Sequence, residues 1–554
     1  MSAKIRISLI VAVLVISYTG ILSADDFKAP VAKVDLKDGD TIVFLGDSIT
    51  HQCLYTQYVE DFFYTRYPNM RLKFHNAGVG GAKAWDALER LDRDVAAYKP
   101  KYVTILLGMN DGTYQPYNEQ VFQTYRADMI ELVGRISATG ATPVLMTPTM
   151  YDSRAARSGK RKHDDGKLEL YNSVLAYYGT WLREVAVESG YGFVDMYSPL
   201  NNLTLAERKT NANFTMIRDA VHPDPPGQLV MAYALLDDLG LRSPLSNIRI
   251  QPGKDDKPVA RATGGKVTGL KKTENGIEFT WLANGLPFVV PEEAQLGADL
   301  VKLGHRMSRE AIEVHGLDAG NYELTIDGQS VGVFNNLALS RHVELQSNSK
   351  TPQYQQALQV AQLNKERNAG PIKQLRGQWS QFQRHSRASR QLKENPENEQ
   401  FKKQAETLKS KLEGMEDRIS EFEKAALEME DKIFETNQPK PRNYDLKRVE
   451  LSATKGHVLL NGEPVVGARV TFTSANGRVA TGVTDAKGSY VTRTGLLGGL
   501  VPGEYKVSIN NSSNRKKLSE AIPAVYSNPQ STVLTVVVKP ASPNEFNFEL
   551  ATTE

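Results

Sequence analysis

Residues 42–50 read IVFLGDSIT, a short apolar run that ends in a glycine, an aspartate and a serine. Similar apolar runs recur downstream and alternate with longer stretches whose apolar residues lie three or four positions apart. The runs are Ile42 to Leu45, Tyr102 to Leu107, Pro143 to Met146 and Phe193 to Met196, and the amphipathic stretches are Val121 to Ile136 and Leu168 to Val187. This alternation is typical of a parallel sheet covered by helices on both faces, so we predict an α/β domain over residues 35–242.

Polar blocks follow three of the predicted strands. Ser48 comes after the first run, residues 76–81 (NAGVGG) follow the β-like stretch Leu72 to His75, and residues 108–111 (GMND) follow the run that ends at Leu107. The carboxyl ends of parallel strands border the ligand crevice, so these blocks are candidates for chemistry. Each also has a purely structural interpretation, as a helix cap, a tight glycine turn or an N-cap.

A fourth block, residues 219–223 (DAVHP), supplies a histidine with a nearby carboxylate. An aspartate three residues before a histidine can reach the imidazole, fix its tautomer and stabilise its charged form. A serine hydroxyl is a weak nucleophile until a base removes its proton, so Ser48 needs such a partner. His51 and His75 have no adjacent carboxylate, and His163 lies in a very polar loop. We therefore expect His222 to be the base.

In this order, the four blocks resemble the signature blocks of SGNH (GDSL-type) hydrolases. The blocks are Gly46-Asp47-Ser48, Asn76 to Gly81, Gly108-Met109-Asn110-Asp111 and Asp219-Ala220-Val221-His222. The resemblance covers about Asp40 to Leu241. It implies a three-layer α/β/α, flavodoxin-like fold that hydrolyses oxygen esters or thioesters through an acyl-enzyme. No metal or cofactor is implied.

The same resemblance assigns roles to individual residues. Ser48 would be the nucleophile, His222 the base and then the acid, and Asp219 the carboxylate that orients the imidazole. The backbone N–H groups of Ser48 and Gly81 and the side chain of Asn110 would form the oxyanion hole.

A basic stretch follows the fourth predicted strand and is expected near the rim of the crevice. It contains Arg154, Arg157, Lys160, Arg161 and Lys162. These cations could select an acidic substrate, but charge runs of this kind are usually solvated surface loops.

Composition and the N-terminus limit the possible partners and location. The 67 Lys and Arg residues nearly balance 64 Asp and Glu residues, which disfavours nucleic-acid binding. Residues 1–24 combine a short basic region with an apolar run from Leu9 to Ile16, as a secretory signal peptide does. A transmembrane anchor is the alternative, although the run is shorter than the roughly 20 residues that a span requires. Cys53 is the only cysteine, so no intramolecular disulfide can form.

The chain beyond the α/β domain divides by composition. A Pro, Gly and Lys-rich stretch predicts a linker over residues 243–265, and Asn275-Gly276 and Asp327-Gly328 predict hairpins in a small β subdomain over residues 266–348.

Residues 352–437 predict a helical hairpin or coiled coil with breaks at Gly370-Pro371 and Asn395-Pro396. Its last helix carries an unbroken heptad seam: Phe401, Ala405, Leu408, Leu412, Met415, Ile419, Phe422, Ala426, Met429 and Ile433. A stripe from Ile372 to Phe382 has the same spacing. These residues could join two helices of one chain or mediate self-association, since heptads alone do not distinguish the two.

The last segment, residues 446–554, has the period-two pattern of a small antiparallel β-sandwich. Residues 462–470 (GEPVVGARV) and 484–490 (TDAKGSY) resemble the carboxypeptidase regulatory-like (transthyretin-like) family. That resemblance implies an Ig-like sandwich with an accessory role and no catalytic residues.

Together these features predict an exported serine esterase, located in the periplasm, at the cell surface or outside the cell. Its preferred substrates are expected to be acyl esters, particularly acetyl groups on carbohydrates. A lipase or lysophospholipase is the alternative within the enzyme class. A non-catalytic cell-surface binding or scaffold protein is the alternative from another class.

Overall fold

The computed structural model of the protein describes residues 29–158, 168–511 and 522–552. The predicted signal peptide lies outside the described residues, as do Lys160, Arg161 and Lys162 of the predicted basic rim. Within the described ranges, no helix is both long enough and apolar enough to cross a membrane.

The first domain is built on one parallel sheet, as the sequence predicts. Its elements are β1 (Thr41–Gly46), α1 (Ser48–His51), α2 (Leu54–Arg66), β2 (Lys73–Gly78), α3 (Ala84–Asp94), β3 (Tyr102–Leu106), α4 (Glu119–Ala138), β4 (Thr142–Met146), α5 (Ser153–Ser158), α6 (Tyr171–Ser189), β5 (Gly192–Val194), α7 (Tyr197–Glu207) and α8 (Pro225–Asp238). The strand order is β2-β1-β3-β4-β5, and all neighbouring strands run parallel. All residues of β1 and β3 are buried, because a parallel sheet is covered on both faces. The predicted α/β class is thus confirmed.

The strand order places a crevice at the carboxyl ends of β1 and β3. After β1 the chain turns to one side of the sheet to form β2, and it then returns past β1 to form β3. Loops leaving β1 and β3 therefore diverge at this edge, and the space between them is where ligands bind in open α/β sheets.

The second domain is rich in β-structure and begins earlier than predicted. Its elements up to residue 344 are β6 (Ser246–Pro252), β7 (Pro258–Thr263), β8 (Gly265–Thr273), β9 (Gly276–Ala283), α9 (Gln295–Val301), α10 (Leu303–Met307), β10 (Glu310–Val314), β11 (Asn321–Ile326), β12 (Gln329–Asn335), α11 (Asn336–Arg341) and β13 (Val343–Glu344). The predicted linker over residues 243–265 is wrong, because β6 and β7 occupy most of it. Its prolines Pro252 and Pro258 lie at strand ends, where a missing N–H is tolerated, and Ile248 and Ile250 are buried.

Four helices follow, and they interrupt the second domain. They are α12 (Pro352–Arg367), α13 (Lys373–Glu394), α14 (Glu399–Ser410) and α15 (Met415–Thr436), and they precede β14 (Arg442–Val449). β14 pairs with both β9 and β11 in a sheet of order β12-β11-β14-β9-β8. The chain therefore leaves the β domain, forms the helices and returns. The predicted start of the last domain at residue 446 is wrong for the same reason.

The predicted unbroken heptad seam is also wrong. The helix stops between Ser410 and Met415, where Gly414 has a φ of +65° that favours glycine over other residues. Ile419, Ala426 and Ile433 of the seam are buried in one cluster with the core of the first domain. The seam therefore faces a different domain as well as neighbouring helices.

The helices are fixed to the first domain by apolar and polar contacts. Trp379 of α13 is 1% exposed, and its ring centroid lies 5.7 Å from that of His75 in β2. Asn364 of α12 donates a 2.8 Å hydrogen bond to Asp61, and the Tyr64 hydroxyl donates one of 2.7 Å to Glu430 of α15. We call α12 to α15 the helical insertion. These contacts bury one of its faces against α2 and β2.

The last domain consists of two sheets around one apolar core. Its elements are β15 (Thr454–Leu460), β16 (Glu463–Pro464), β17 (Ala468–Thr473), β18 (Val479–Val483), β19 (Ser489–Val491), β20 (Arg493–Thr494), β21 (Leu497–Gly498), β22 (Gly503–Asn511), α16 (Ala524–Ser527), β23 (Thr535–Val538), β24 (Asn544–Glu545) and β25 (Phe548–Leu550). Val458 and Phe548 of one sheet share a buried cluster with Val470 and Val507 of the other. Arg478 forms a two-pronged ion pair with Glu323 of the β domain.

We expect Trp379→Ala to destabilise the first domain together with the helices. Truncation of a buried tryptophan leaves a cavity that costs about 3–5 kcal/mol of unfolding free energy. The thermal midpoint of unfolding, followed by circular dichroism and by differential scanning calorimetry, should fall in both measurements. Leu427→Ala is the control, because Leu427 of α15 is 53% exposed and its truncation should leave the midpoint nearly unchanged. Equal midpoints for the two variants would contradict the shared core.

Candidate active site

Ser48 lies where β1 ends and α1 begins. The side chain of Asp47 caps α1 by accepting a 2.9 Å hydrogen bond from the Ile49 N–H. Ser48 is the first residue of the helix, so its own N–H has no partner within the helix. The cap fixes the backbone at Ser48 while leaving both its hydroxyl and its N–H available at the crevice.

Asp219 and His222 occupy a tight turn before α8. One carboxylate oxygen of Asp219 accepts the N–H groups of Val221 (3.0 Å) and His222 (2.8 Å), and the other lies 2.7 Å from His222 Nδ1. Between them, Ala220 has a φ of +73°, a strained conformation for alanine. The turn is therefore held in one conformation, with the carboxylate against the imidazole.

The opposite side of the imidazole meets the serine. His222 Nε2 lies 2.8 Å from Ser48 Oγ, across a separation of 174 residues in sequence. Burial acts to raise the pKa of Asp219, but hydrogen bonds from His222 and Val221 outweigh it and lower that pKa below its usual value. A carboxylate that stays ionised can hold Nδ1 protonated and leave Nε2 free to accept the serine proton.

A glycine turn follows β2 beside the serine. The Ala82 N–H donates to the Val79 carbonyl (3.1 Å), and Gly81, the third residue of this turn, has a φ of +68°. Such a φ is required at this position of a type II turn and favours glycine. Among the described residues, the Gly81 N–H has no hydrogen-bond partner. It is therefore free to bind a ligand oxygen.

Asn110 follows β3 and lies between the glycine turn and the start of α1. Its side-chain nitrogen donates to the Ala82 carbonyl (3.1 Å) and, more weakly, to Asp47 Oδ2 (3.4 Å). The Tyr114 hydroxyl donates to its side-chain oxygen at 3.2 Å. Contacts at both ends thus fix the orientation of the amide.

Two buried carboxyls underlie this part of the site. Asp111 accepts the N–H groups of Ala84 (2.8 Å) and Gly108 (3.0 Å), and so ties the loop after β3 to the start of α3. Burial raises the pKa of Asp111 to about 7. Burial, reinforced by the charge of Asp111, likewise raises the pKa of Asp47 to about 7. Both groups act as hydrogen-bond acceptors that set the local backbone geometry.

The described part of the predicted basic rim is exposed but helical. Arg154 and Arg157 lie on the short helix α5. Arg154 donates to the Ala212 carbonyl (2.9 Å), and Arg157 pairs with Glu169 at 2.6 Å. Both cations are therefore already engaged by protein groups. Lys160, Arg161 and Lys162 lie outside the described residues.

Several residues at the site were not identified from the sequence. Tyr114 does not belong to any of the four sequence blocks. Arg90 could have been noticed as a charged residue on the buried face of α3, and it donates to the carbonyls of Ala77 (2.6 Å) and Gly46 (3.3 Å) at the ends of β2 and β1. Gln383 and Arg387 of α13 reach the glycine turn from about 300 residues away in sequence, so no local signal could reveal them.

Comparisons with known proteins agree with this geometry. Residues 44–230, which contain all four blocks, match the family model described as GDSL-like lipase/acylhydrolase. An acetylxylan esterase from Geobacillus stearothermophilus is 26% identical over 224 residues, which cover 36% of this chain and 94% of that protein.

A solved structure extends the similarity beyond the first domain. It is described as a gut microbial diltiazem-metabolizing enzyme, is 27% identical, and superposes with a TM-score of 0.62. The match covers 76% of this chain and all of the other. Taken with the site geometry, these similarities show that the chain contains a GDSL-like (SGNH) lipase/acylhydrolase domain and is an ester-hydrolysing enzyme.

Proposed function

We propose that the protein is an exported esterase that removes acetyl groups from carbohydrates through an acyl-enzyme on Ser48. The observation that carries this proposal is the continuous hydrogen-bond chain from Ser48 Oγ to His222 (2.8 Å) and from His222 to Asp219 (2.7 Å). Such a chain lets Ser48 pass its proton to His222, while the Asp219 carboxylate orients the imidazole and stabilises its charged form without taking a proton itself.

The reaction proceeds in two halves. His222 Nε2 takes the proton of Ser48 as Oγ attacks the ester carbonyl carbon, which gives a tetrahedral intermediate. His222 then gives that proton to the departing alcohol oxygen as the carbon–oxygen bond breaks, which leaves the acyl group on Ser48. Water repeats the sequence, with His222 as the base, and releases the carboxylic acid and the free serine.

The proposed oxyanion hole would use three donors. The N–H groups of Ser48 and Gly81 are uncommitted, and the Asn110 N–H that faces Asp47 at 3.4 Å is only weakly engaged. A long hydrogen bond of this kind is readily exchanged for a shorter one to an oxyanion. Donors that are fixed before the reaction stabilise the charge without reorganisation.

The acetyl-carbohydrate preference is supported by the acetylxylan esterase that resembles most of the first domain. A second candidate, a small-molecule ester, is favoured by the diltiazem-metabolizing enzyme, whose match covers 76% of the chain. Export is supported by the signal-like sequence of residues 1–24.

A substrate panel tests the proposal. The full chain should hydrolyse acetylated xylo-oligosaccharides and nitrophenyl acetate faster than nitrophenyl esters of longer acyl chains, with diltiazem included for the second candidate. Ser48→Ala should lose about a millionfold in kcat and resist fluorophosphonate labelling. A preference for long acyl chains would indicate a lipase instead. Full activity in Ser48→Ala would overturn the acyl-enzyme assignment.

We expect Asp219→Asn to lower kcat by roughly ten thousandfold while the protein stays folded. The amide would favour the wrong imidazole tautomer, so that Nε2 no longer accepts the serine proton. Steady-state kinetics on nitrophenyl acetate measure this loss. Asp224→Asn is a matched control, since Asp224 lies on the same loop but pairs with Arg218 at 3.0 Å and should leave kcat unchanged. Equal activities of the two variants would contradict the role of Asp219.

Asn110→Ala removes one proposed oxyanion donor. Its kcat should fall by about a hundredfold to a thousandfold with little change in KM, because the interaction strengthens in the transition state. Tyr114→Phe, which removes the hydrogen bond that the hydroxyl donates to the Asn110 side chain, should cost less. An unchanged kcat in Asn110→Ala would remove this side chain from the oxyanion hole.

A further inference from the structure

We propose that helix α13 of the helical insertion holds the glycine turn, residues 79–82, in its active conformation. Gln383 and Arg387 are the positioning residues. This inference rests on the proposed function, because it concerns the Gly81 N–H as an oxyanion donor. α13 lies outside the 44–230 segment that matches the acylhydrolase family model. The inference therefore assigns a catalytic purpose to a part of the chain that the family model does not contain.

Gln383 acts on the peptide that carries the donor. Its Nε2 donates a 3.1 Å hydrogen bond to the carbonyl oxygen of Gly80. That carbonyl and the Gly81 N–H belong to one planar trans peptide, so they point in opposite directions. A carbonyl held toward α13 directs the N–H away from the helix. The same hydrogen bond polarises the peptide, which makes the N–H a stronger donor.

Arg387 acts on the next peptide. Its Nη2 donates to the Gly81 carbonyl at 2.7 Å, so the peptides on both sides of Gly81 are held by α13. Arg387 is itself fixed by two hydrogen bonds to Asp86, at 2.9 and 2.7 Å. The Asp86 carboxylate is 1% exposed and also accepts the N–H of Lys83, the N-cap residue of α3. A rigid bidentate pair thus links the turn, α3 and α13.

The spacing of these residues places them on one face of the helix. Trp379, Gln383 and Arg387 lie at successive intervals of four. Trp379 packs against His75 in β2, and the glycine turn follows the end of that strand. α13 therefore runs along β2 with its first contact in the buried core and its last two contacts on the turn.

Gln383 is placed there at an energetic cost. It is 4% exposed, and its side-chain oxygen has no hydrogen-bond partner among the described residues. An apolar side chain would avoid an unsatisfied buried acceptor. The compensating interaction is the hydrogen bond to Gly80.

The turn needs an external restraint because it contains two adjacent glycines. Glycine has more accessible backbone conformations than any other residue, so the Gly80–Gly81 peptide can rotate at little steric cost. An added Cβ at Gly80 would meet nothing within 4 Å, so packing does not restrict the turn at this residue. Oxyanion stabilisation depends on a donor that is oriented before the charge develops. Hydrogen bonds from α13 supply that restraint.

Gln383→Met and Arg387→Met test the proposal in the full chain. Each keeps a long side chain and removes the donor. We expect kcat on nitrophenyl acetate, normalised to the number of fluorophosphonate-reactive serines, to fall about tenfold to a hundredfold. KM should stay within about twofold, because the donor acts mainly in the transition state. Arg384→Met is the matched control, since Arg384 is exposed on the same helix, and its kcat should equal that of the unmodified chain.

Normalisation separates positioning from a structural role. A helix that only stabilised the fold would change the thermal midpoint or the number of reactive serines, but not kcat per reactive serine. Unchanged kcat in both Gln383→Met and Arg387→Met, or a rise in KM alone, would overturn the proposal. Either result together with an inactive Ser48→Ala leaves the proposed function intact. An active Ser48→Ala would instead overturn the proposed function itself.

Discussion

The hydrogen bond between His222 Nε2 and Ser48 Oγ is the interaction on which the proposed function of this structure depends. It joins two segments that lie 174 residues apart, and its 2.8 Å length leaves little room for displacement. The parallel sheet brings the end of β1 to the crevice, and the Asp47 cap fixes the first turn of α1. The turn around Ala220 fixes the imidazole from the other side. The sheet and the Asp47 cap therefore limit the movement of Ser48, and the turn at Ala220 limits the movement of His222, so the distance between them stays short.

The helical insertion has a larger part in this arrangement than its position in the chain suggests. It leaves the β domain after β13 and returns as β14, yet one face of it is buried in the core of the first domain. Polar contacts within that interface are also buried. Arg367 of α12, for example, lies 3.4 Å from Glu60 of α2, and both side chains are less than 10% exposed. Burying such a pair carries a desolvation cost that the attraction largely offsets. The geometry of these directional contacts fixes how the helices sit on α2 and β2.

Local sequence patterns were informative where local physics decides the structure. Buried strands such as β1 read as apolar runs because both faces of a parallel sheet are covered, and β1, β3 and β4 were predicted to within one residue. Asp327-Gly328 connects β11 to β12, and both residues have the positive φ that a two-residue hairpin turn requires. Asn275-Gly276 lies where β8 turns into β9, although neither of its residues has a positive φ. The predictions of a linker and of an unbroken heptad seam were wrong, because each rested on a pattern that does not by itself decide the structure. Prolines at the ends of β6 and β7 resemble linker composition, and a seven-residue repeat does not show that Gly414 breaks the helix.

The sequence by itself determined the parallel α/β fold and the residues with the chemistry of a serine esterase, since strand burial and the spacing of Asp219 and His222 are local properties. The resemblance of the four sequence blocks to those of SGNH hydrolases also nominated Ser48, Gly81 and Asn110. Only the tertiary structure decided that Ser48 meets His222, that Tyr114 and Arg90 contact the loops around them, and that Gln383 and Arg387 reach the glycine turn. Tyr114 and Asn110 are only 4 positions apart, but the contacts of Arg90, Gln383 and Arg387 join residues 13 to 306 positions apart. They depend on how α3 and α13 pack against β2, which no short stretch of sequence encodes.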